Sequence, residues 1–224
     1  MLRLMAPVVS SVAALIGPLS AAAQEATPAG TTGSFTILAP GRSAYGKDVG
    51  EWAAEWWAWS ERSEATDCAP SDDGRVWFLT PVPTDAVDLT GLRLTCRLPS
   101  GAPVFFAVLV NAGVDTAACE GGNEAFLQGV GGLGAVEVEI DGEVVPDLGR
   151  FRVEPSPLPE PIPYPAPVAS PQATPASVLL TTACGYGFVL DPLPAGEHLL
   201  RTRVEANGEV VVDILGEITV EAAD

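Results

Sequence analysis

The chain of 224 residues is poor in cations and in the side chains that usually carry catalysis. It has one lysine, Lys47, and one histidine, His198. Eleven Lys plus Arg stand against 29 Asp plus Glu, a net charge of −18. Such a surface repels nucleic acid and anionic membranes, so no nucleic-acid partner is expected. It favours cations or basic partners instead. One imidazole is too few for a typical transition-metal site. No Cys-x-x-Cys pair is present, which argues against zinc. No Gly-x-Ser-x-Gly element occurs, so the nucleophile elbow of serine hydrolases is missing. His198, beside Glu197 where a turn enters a strand, is read as a structural hydrogen-bonding residue. Past the first residues, no apolar run is long enough to span a bilayer, and no transmembrane span is expected.

What is present starts with residues 1–23, read as a signal peptide. Arg3 precedes an apolar run that ends in Ala21, Ala22 and Ala23, with cleavage expected before Gln24. Pro7, Pro18, Ser10 and Ser11 interrupt the run, leaving it short of the roughly 20 residues of a membrane helix. The protein is therefore expected to be secreted, periplasmic or extracellular. Residues 24–33 are small and polar and are expected to form a flexible N-terminus, followed by a single domain over 34–222. Four cysteines follow: Cys68, Cys96, Cys119 and Cys184. An even number in an exported chain implies disulfides. Of the three possible pairings, Cys68 with Cys96 and Cys119 with Cys184 are favoured, and no thiol is then left as a nucleophile.

Four of the five tryptophans lie in the stretch Tyr45 to Trp59, YGKDVGEWAAEWWAW. Tyr45, Val49, Trp52, Trp56 and Trp59 recur at helical spacing, which predicts an amphipathic helix from Tyr45 to Arg62. The bulky stripe must dock on the protein's own core or be displayed to a ligand. Core is the simpler reading. Trp57 points to another side of the helix and is the best candidate for an exposed aromatic.

Beyond the helix, strand patterns dominate. Short strands are expected at Ser34 to Leu38, Arg75 to Thr80 and Leu92 to Leu98. The continuous apolar run Val104 to Val110 reads as a central strand. Asn123 to Gln128 predicts a short helix. Asp141-Gly142 and Asn207-Gly208 each mark a two-residue hairpin turn, and Gly216 suggests a bulge in the last strand. The segment Glu154 to Ala176 carries proline at every second position from Pro155 to Pro167. It is expected to be a stiff insertion loop, because proline cannot donate regular ladder bonds. Together these patterns predict a mainly β fold. The expected form is an antiparallel β-sandwich, immunoglobulin-like or jelly-roll-like, with one N-terminal tryptophan-rich helix.

Three groups are candidates for chemistry or binding. Asp67, Asp72 and Asp73 beside Gly74 form the densest acidic loop and leave calcium open, because calcium needs only oxygen ligands; no other cofactor is expected. Glu51 and Glu55, four apart on the helix, could act as a carboxylate pair on a glycan. Trp57 could stack on a sugar face beside them. Glu137 and Glu139 are read as the solvent face of a strand.

The chain resembles an uncharacterised group of secreted bacterial proteins. The resemblance rests on YGxxxGEWxAxWWxW (Tyr45, Gly46, Gly50, Glu51, Trp52, Ala54, Trp56, Trp57 and Trp59) and on a VWFL strand (Val76 to Leu79). Further matches are Cys96, Pro99, Gly101, Phe105 and Phe106, the hairpin residues Val138, Asp141, Gly142 and Val145, and a GY…GEH element (Gly185, Tyr186, Leu190, Pro192, Leu193, Gly196, Glu197 and His198). It implies architecture, with no activity attached. The expected function is a disulfide-stabilised, non-catalytic binding or structural module of the bacterial envelope or exterior, with a glycan or envelope component as partner. The alternative is an extracellular carboxylate-dependent hydrolase of glycans.

Overall fold

The computed structural model of the protein describes residues 35–38, 43–62, 67–79, 89–165 and 177–223. The expected signal peptide, the segment 24–33 and the end of the proline-rich segment, 166–176, lie outside these residues. Two five-stranded sheets make up the body. The first has the order β1 (Cys68–Pro70), β2 (Trp77–Leu79), β4 (Val104–Gly113), β8 (Ser177–Leu190) and β7 (Arg152–Pro165). The second runs β3 (Leu89–Leu98), β10 (Glu209–Val220), β9 (Gly196–Ala206), β5 (Val136–Ile140) and β6 (Glu143–Val144). Both sheets contribute to one core, in which Val104, Phe106, Phe188 and Leu190 meet Leu98, Val138, Ile140, Leu200 and Ile218.

The fold is mainly β with an N-terminal helix, as expected, but the sheets are mixed. β2 pairs with β4, and β3 with β10, in parallel. Apolar alternation records which face of a strand is buried and says nothing about a neighbour's direction. Only turns carry that information, and no hairpin joins either parallel pair. The two expected hairpins are present. Asp141 and Gly142 (φ 52° and 81°) turn β5 into β6, and Asn207 and Gly208 (φ 54° and 81°) turn β9 into β10. Gly216 is not a bulge. It pairs in register with Leu200 and Leu94, and the irregularities of β10 fall at Val210/Val212 and Asp213/Ile214. Of the expected strand at Ser34 to Leu38, Ser34 lies outside the described residues, and the described part makes a single bridge, Ile37 with Leu190.

The tryptophan helix, α1 (Val49–Arg62), starts later than its apolar spacing suggests. Tyr45 and Gly46 take left-handed backbone conformations (φ 53° and 96°), so the helix cannot run through them. Asp48 and Glu51 then close a reciprocal cap. The Asp48 amide donates to Glu51 Oε2 and the Glu51 amide donates to Asp48 Oδ1, each at 2.8 Å. The stripe is core. Trp52 and Trp56 are buried with Val76, Phe78, Phe105, Val153 and Val189, all from the first sheet or its approaches. Both indoles keep a partner: Trp52 Nε1 donates to the Ala44 carbonyl at 2.8 Å and Trp56 Nε1 to the Leu79 carbonyl at 2.9 Å.

A second helix, α2 (Thr116–Val130), replaces the short one expected at Asn123 to Gln128. Asp115 caps its start by accepting from the Ala118 amide at 2.8 Å, and left-handed Gly131 ends it. Gly121 and Gly122 lower its intrinsic propensity, which masks it in the sequence.

The proline-rich segment is also corrected over residues 152–165, which form the edge strand β7, paired with β8. Alternate residues of a strand address opposite edges. Pro157, Pro163 and Pro165 face β8 residues in pairs that need no proline N–H, so the missing donors fall on the outer edge. Both favoured disulfides are present. Cys68–Cys96 joins the two sheets through β1 and β3, and Cys119–Cys184 pins α2 to β8. No described helix is long and apolar enough to cross a membrane.

Candidate binding cleft

Glu120, Asn123, Glu124, Leu127 and Gln128 follow the i, i+3, i+4 spacing and share one face of α2. Together with Arg152 and Val153 of β7 and Cys184, Gly185 and Tyr186 of β8, they line a cleft of about 590 Å³. Gly131 and Gly132 line its end at the C-terminus of the helix. The volume falls within the range of small-molecule sites.

Local chain geometry sets these walls. Gly185 has φ 138°, and a Cβ there would stand 1.9 Å from the Leu109 carbonyl oxygen. Only glycine lets β8 pass β4 at this point. Its neighbour Cys184 is buried, and the disulfide holds α2 against the strand. Asn123 is 6% exposed. Its Nδ2 donates to Cys184 Sγ at 3.1 Å, while its Oδ1 has no partner. An unpaired buried amide oxygen costs roughly 1–3 kcal/mol. At the rim, Arg152 Nη2 donates to Glu120 Oε1 at 2.5 Å and Gln128 Nε2 donates to Glu124 Oε1 at 3.0 Å.

The residues singled out from sequence lie elsewhere, apart from Cys184. Glu51 serves the helix cap. Glu55 accepts from Lys47 Nζ, which also lies 3.1 Å from Asp73 Oδ2 and 4.4 Å above the Trp52 ring. Burial opposes the charge on Lys47, but its hydrogen bonds to Glu55 and Asp73 outweigh that and hold the ammonium above its ordinary range. Asp73 is likewise held low. Burial works against its charge, and the bonds from Ser71, the Arg75 amide and Lys47 prevail. Trp57, expected to be exposed, is half-buried. It packs against Leu158, Leu180 and Ala183, with its indole nitrogen out of solvent.

Asp67 accepts from the Thr95 amide and hydroxyl at 2.9 and 3.1 Å. It is thus tied to β3 and Asp73 to Lys47. Among the described residues, no three His, Cys, Asp or Glu side chains gather where they could hold a metal ion. His198 is structural in its contacts: Nδ1 lies 2.8 Å from Asp141 Oδ2 and Nε2 lies 2.8 Å from the Pro194 carbonyl oxygen. The outer face of the second sheet carries a smaller groove of about 440 Å³, whose lining arginines are already paired. Arg201 donates twice to Asp213, at 2.7 and 2.8 Å, and Arg93 donates to Glu217 at 2.8 Å.

Asn123, Glu120, Arg152 and Tyr186 were not singled out as ligand-binding residues by sequence. The available signal was the bracket formed by Asp115 and Gly131-Gly132, which marks a full helix and so a full helix face. Compared with protein-family models and with curated proteins, the chain matches none.

Proposed function

We propose that the protein is an exported, disulfide-stabilised, non-catalytic binding module of the bacterial envelope or exterior, and that it holds a glycan in the cleft beneath α2. The observation that carries this reading is the cleft itself, lined by the polar side chains of Gln128, Arg152 and Tyr186 between α2 and the first sheet. Amide side chains, a guanidinium and a tyrosine around one cleft match the donors and acceptors of sugar hydroxyls. Two disulfides suit an oxidising compartment outside the cytoplasm. The residues proposed for the hydrolase alternative are engaged elsewhere, Glu51 by the helix cap and Glu55 by Lys47.

The test is an amide chemical-shift titration of isotope-labelled protein with a panel of soluble envelope oligosaccharides. Shifts concentrated on Asn123, Gly131, Gly132 and Tyr186 are expected. Gln128→Ala should weaken the same titration by about tenfold, the effect of one lost hydrogen bond. Shifts clustered on another surface, or none with any oligosaccharide, would overturn the reading.

A further inference from the structure

An Asn or Asp precedes glycine at three places: Asp73-Gly74, Asp141-Gly142 and Asn207-Gly208. Glycine has no side chain to shield its own nitrogen, so that nitrogen can reach the preceding side-chain carbonyl carbon. What holds the two groups decides whether it does. At Asp73 both are held. The Gly74 amide donates to the Ser71 carbonyl at 2.8 Å, and Asp73 Oδ1 accepts from Ser71 Oγ at 2.9 Å and the Arg75 amide at 3.2 Å. At Asp141 the side chain is held. Oδ1 accepts from the Leu199 amide and Oδ2 lies against His198 Nδ1, each at 2.8 Å. The Asp141 amide also donates to the Leu199 carbonyl at 2.8 Å, which ties the turn to β9. Asn207 has the same turn backbone as Asp141, φ 54° then 81° against 52° then 81°. Its carboxamide, however, is exposed and has no partner among the described residues. The ladder closes between Ala206 and Glu209, which leaves the Gly208 N–H without a ladder bond. A Cβ on Gly208 would meet nothing within 4 Å. Only two pairs, Glu209 with Ala206 and Val210 with Glu205, separate this turn from the irregularity at Val210/Val212, so the end of the hairpin opens readily. The other asparagines are engaged. Asn111 Oδ1 accepts from the amide that follows it at 2.8 Å, and Asn123 is buried against Cys184.

We infer that Asn207 is a site of spontaneous modification, where the hairpin turn loses its side-chain amide to water. Asparagine is among the thermolabile side chains, and this one is left unprotected. The Gly208 nitrogen gives its proton to hydroxide and attacks Asn207 Cγ. The new N–Cγ bond closes a five-membered succinimide, the Cγ–Nδ2 bond breaks, and ammonia leaves with a proton taken from water. A second water then opens the ring. Cleavage of the N–Cγ bond leaves aspartate. Cleavage between the Gly208 nitrogen and the Asn207 backbone carbonyl carbon leaves isoaspartate, whose main chain runs through the former side chain. In sum, a carboxamide and water become a carboxylate and ammonium, and nothing is oxidised or reduced. The two products differ in their effect on the fold. Aspartate keeps the turn, since Asp141 already holds that backbone. Isoaspartate adds a main-chain carbon to a two-residue turn and disturbs the register of β9 with β10.

The experiment holds the folded full chain in warm, mildly alkaline buffer. Samples are followed by ion exchange and by peptide mapping that separates aspartyl from isoaspartyl peptides. A form with one more negative charge should accumulate, faster at higher pH, with both products at position 207. Asn207→Asp should elute with the aspartyl fraction and unfold at the temperature of fresh protein, while the isoaspartyl fraction unfolds below it. Asp141→Asn puts a second Asn-Gly pair on the same backbone, still tied to Leu199. In that molecule position 141 should convert about tenfold or more slowly than position 207. Intact Asn207 after incubation, or faster loss at Asn111 or Asn123, would overturn the inference, and this reading needs only the unaltered chain. Equal conversion at 141 and 207 in folded Asp141→Asn would overturn the claim that side-chain tethering selects Asn207.

Discussion

Tyr45 holds a left-handed backbone and sends its hydroxyl to Asp191 Oδ1 at 3.0 Å, 146 positions along the chain. Burial pushes its phenol up, the Asp191 carboxylate adds to the effect by hydrogen bond and charge, and the pKa reaches about 12. A phenol whose folded value lies above its ordinary 10.0 is stabilised in the neutral form. That contribution is complete below pH 10 and is lost as pH rises through about 12. A tyrosinate absorbance titration should therefore show a component near pH 12, absent in Tyr45→Phe. The same variant should lose about 1 kcal/mol at neutral pH, the usual worth of one hydrogen bond. Lys47 is the other long-range anchor. The only lysine of the chain ties α1, through Glu55, to the turn that holds Asp73.

Two glycines show how helix propensity and packing compete within an element. Gly50 lies in the first turn of α1, where a Cβ would stand 2.4 Å from Ser156 Oγ and 2.6 Å from the Glu154 carbonyl oxygen. Gly121 lies in α2 with nothing within 4 Å of the same position. Propensity alone favours alanine over glycine by about 1 kcal/mol at both. Gly121→Ala should stabilise the protein by about 0.5–1 kcal/mol, whereas Gly50→Ala should destabilise it by about 1–3 kcal/mol, because β7 must move away from the helix. Urea unfolding of the two variants checks both signs. β7 itself shows a proline-alternating strand acting as a sheet edge. Proline on the outer side removes donors that another chain would need for edge pairing.

For the whole molecule, the two disulfides hold different layers together. Cys68–Cys96 spans 28 residues and joins the sheets, and Cys119–Cys184 spans 65 and fastens α2 to the first sheet. Loop-closure entropy assigns each about 4 kcal/mol, close to the entire stability of an ordinary domain when summed. Cys68 is half-buried, while Cys119 and Cys184 are fully enclosed. Mild reductant should open Cys68–Cys96 first, with Cys119–Cys184 surviving until the protein unfolds. Alkylation followed by peptide mass analysis reads the order, and simultaneous labelling of all four cysteines in folded protein would contradict it.

Local patterns determined a good part of this protein. The tryptophan stripe, the central strand at Val104, the two hairpin turns and the even cysteine count are short-range signals. Each follows from helical or strand periodicity, from turns that need positive φ, or from redox chemistry. The structure alone decided what depends on distant partners. It set the parallel pairs, because alternation carries no strand direction. It began α1 at Val49, because Tyr45 is held by Asp191 and not by its helix neighbours. It turned Pro155 to Pro165 into an edge strand, because proline fails only on the side that needs a donor. The cleft belongs to this second class. Gln128, Arg152 and Tyr186 line one cleft only after the first sheet forms and the disulfide brings α2 onto β8.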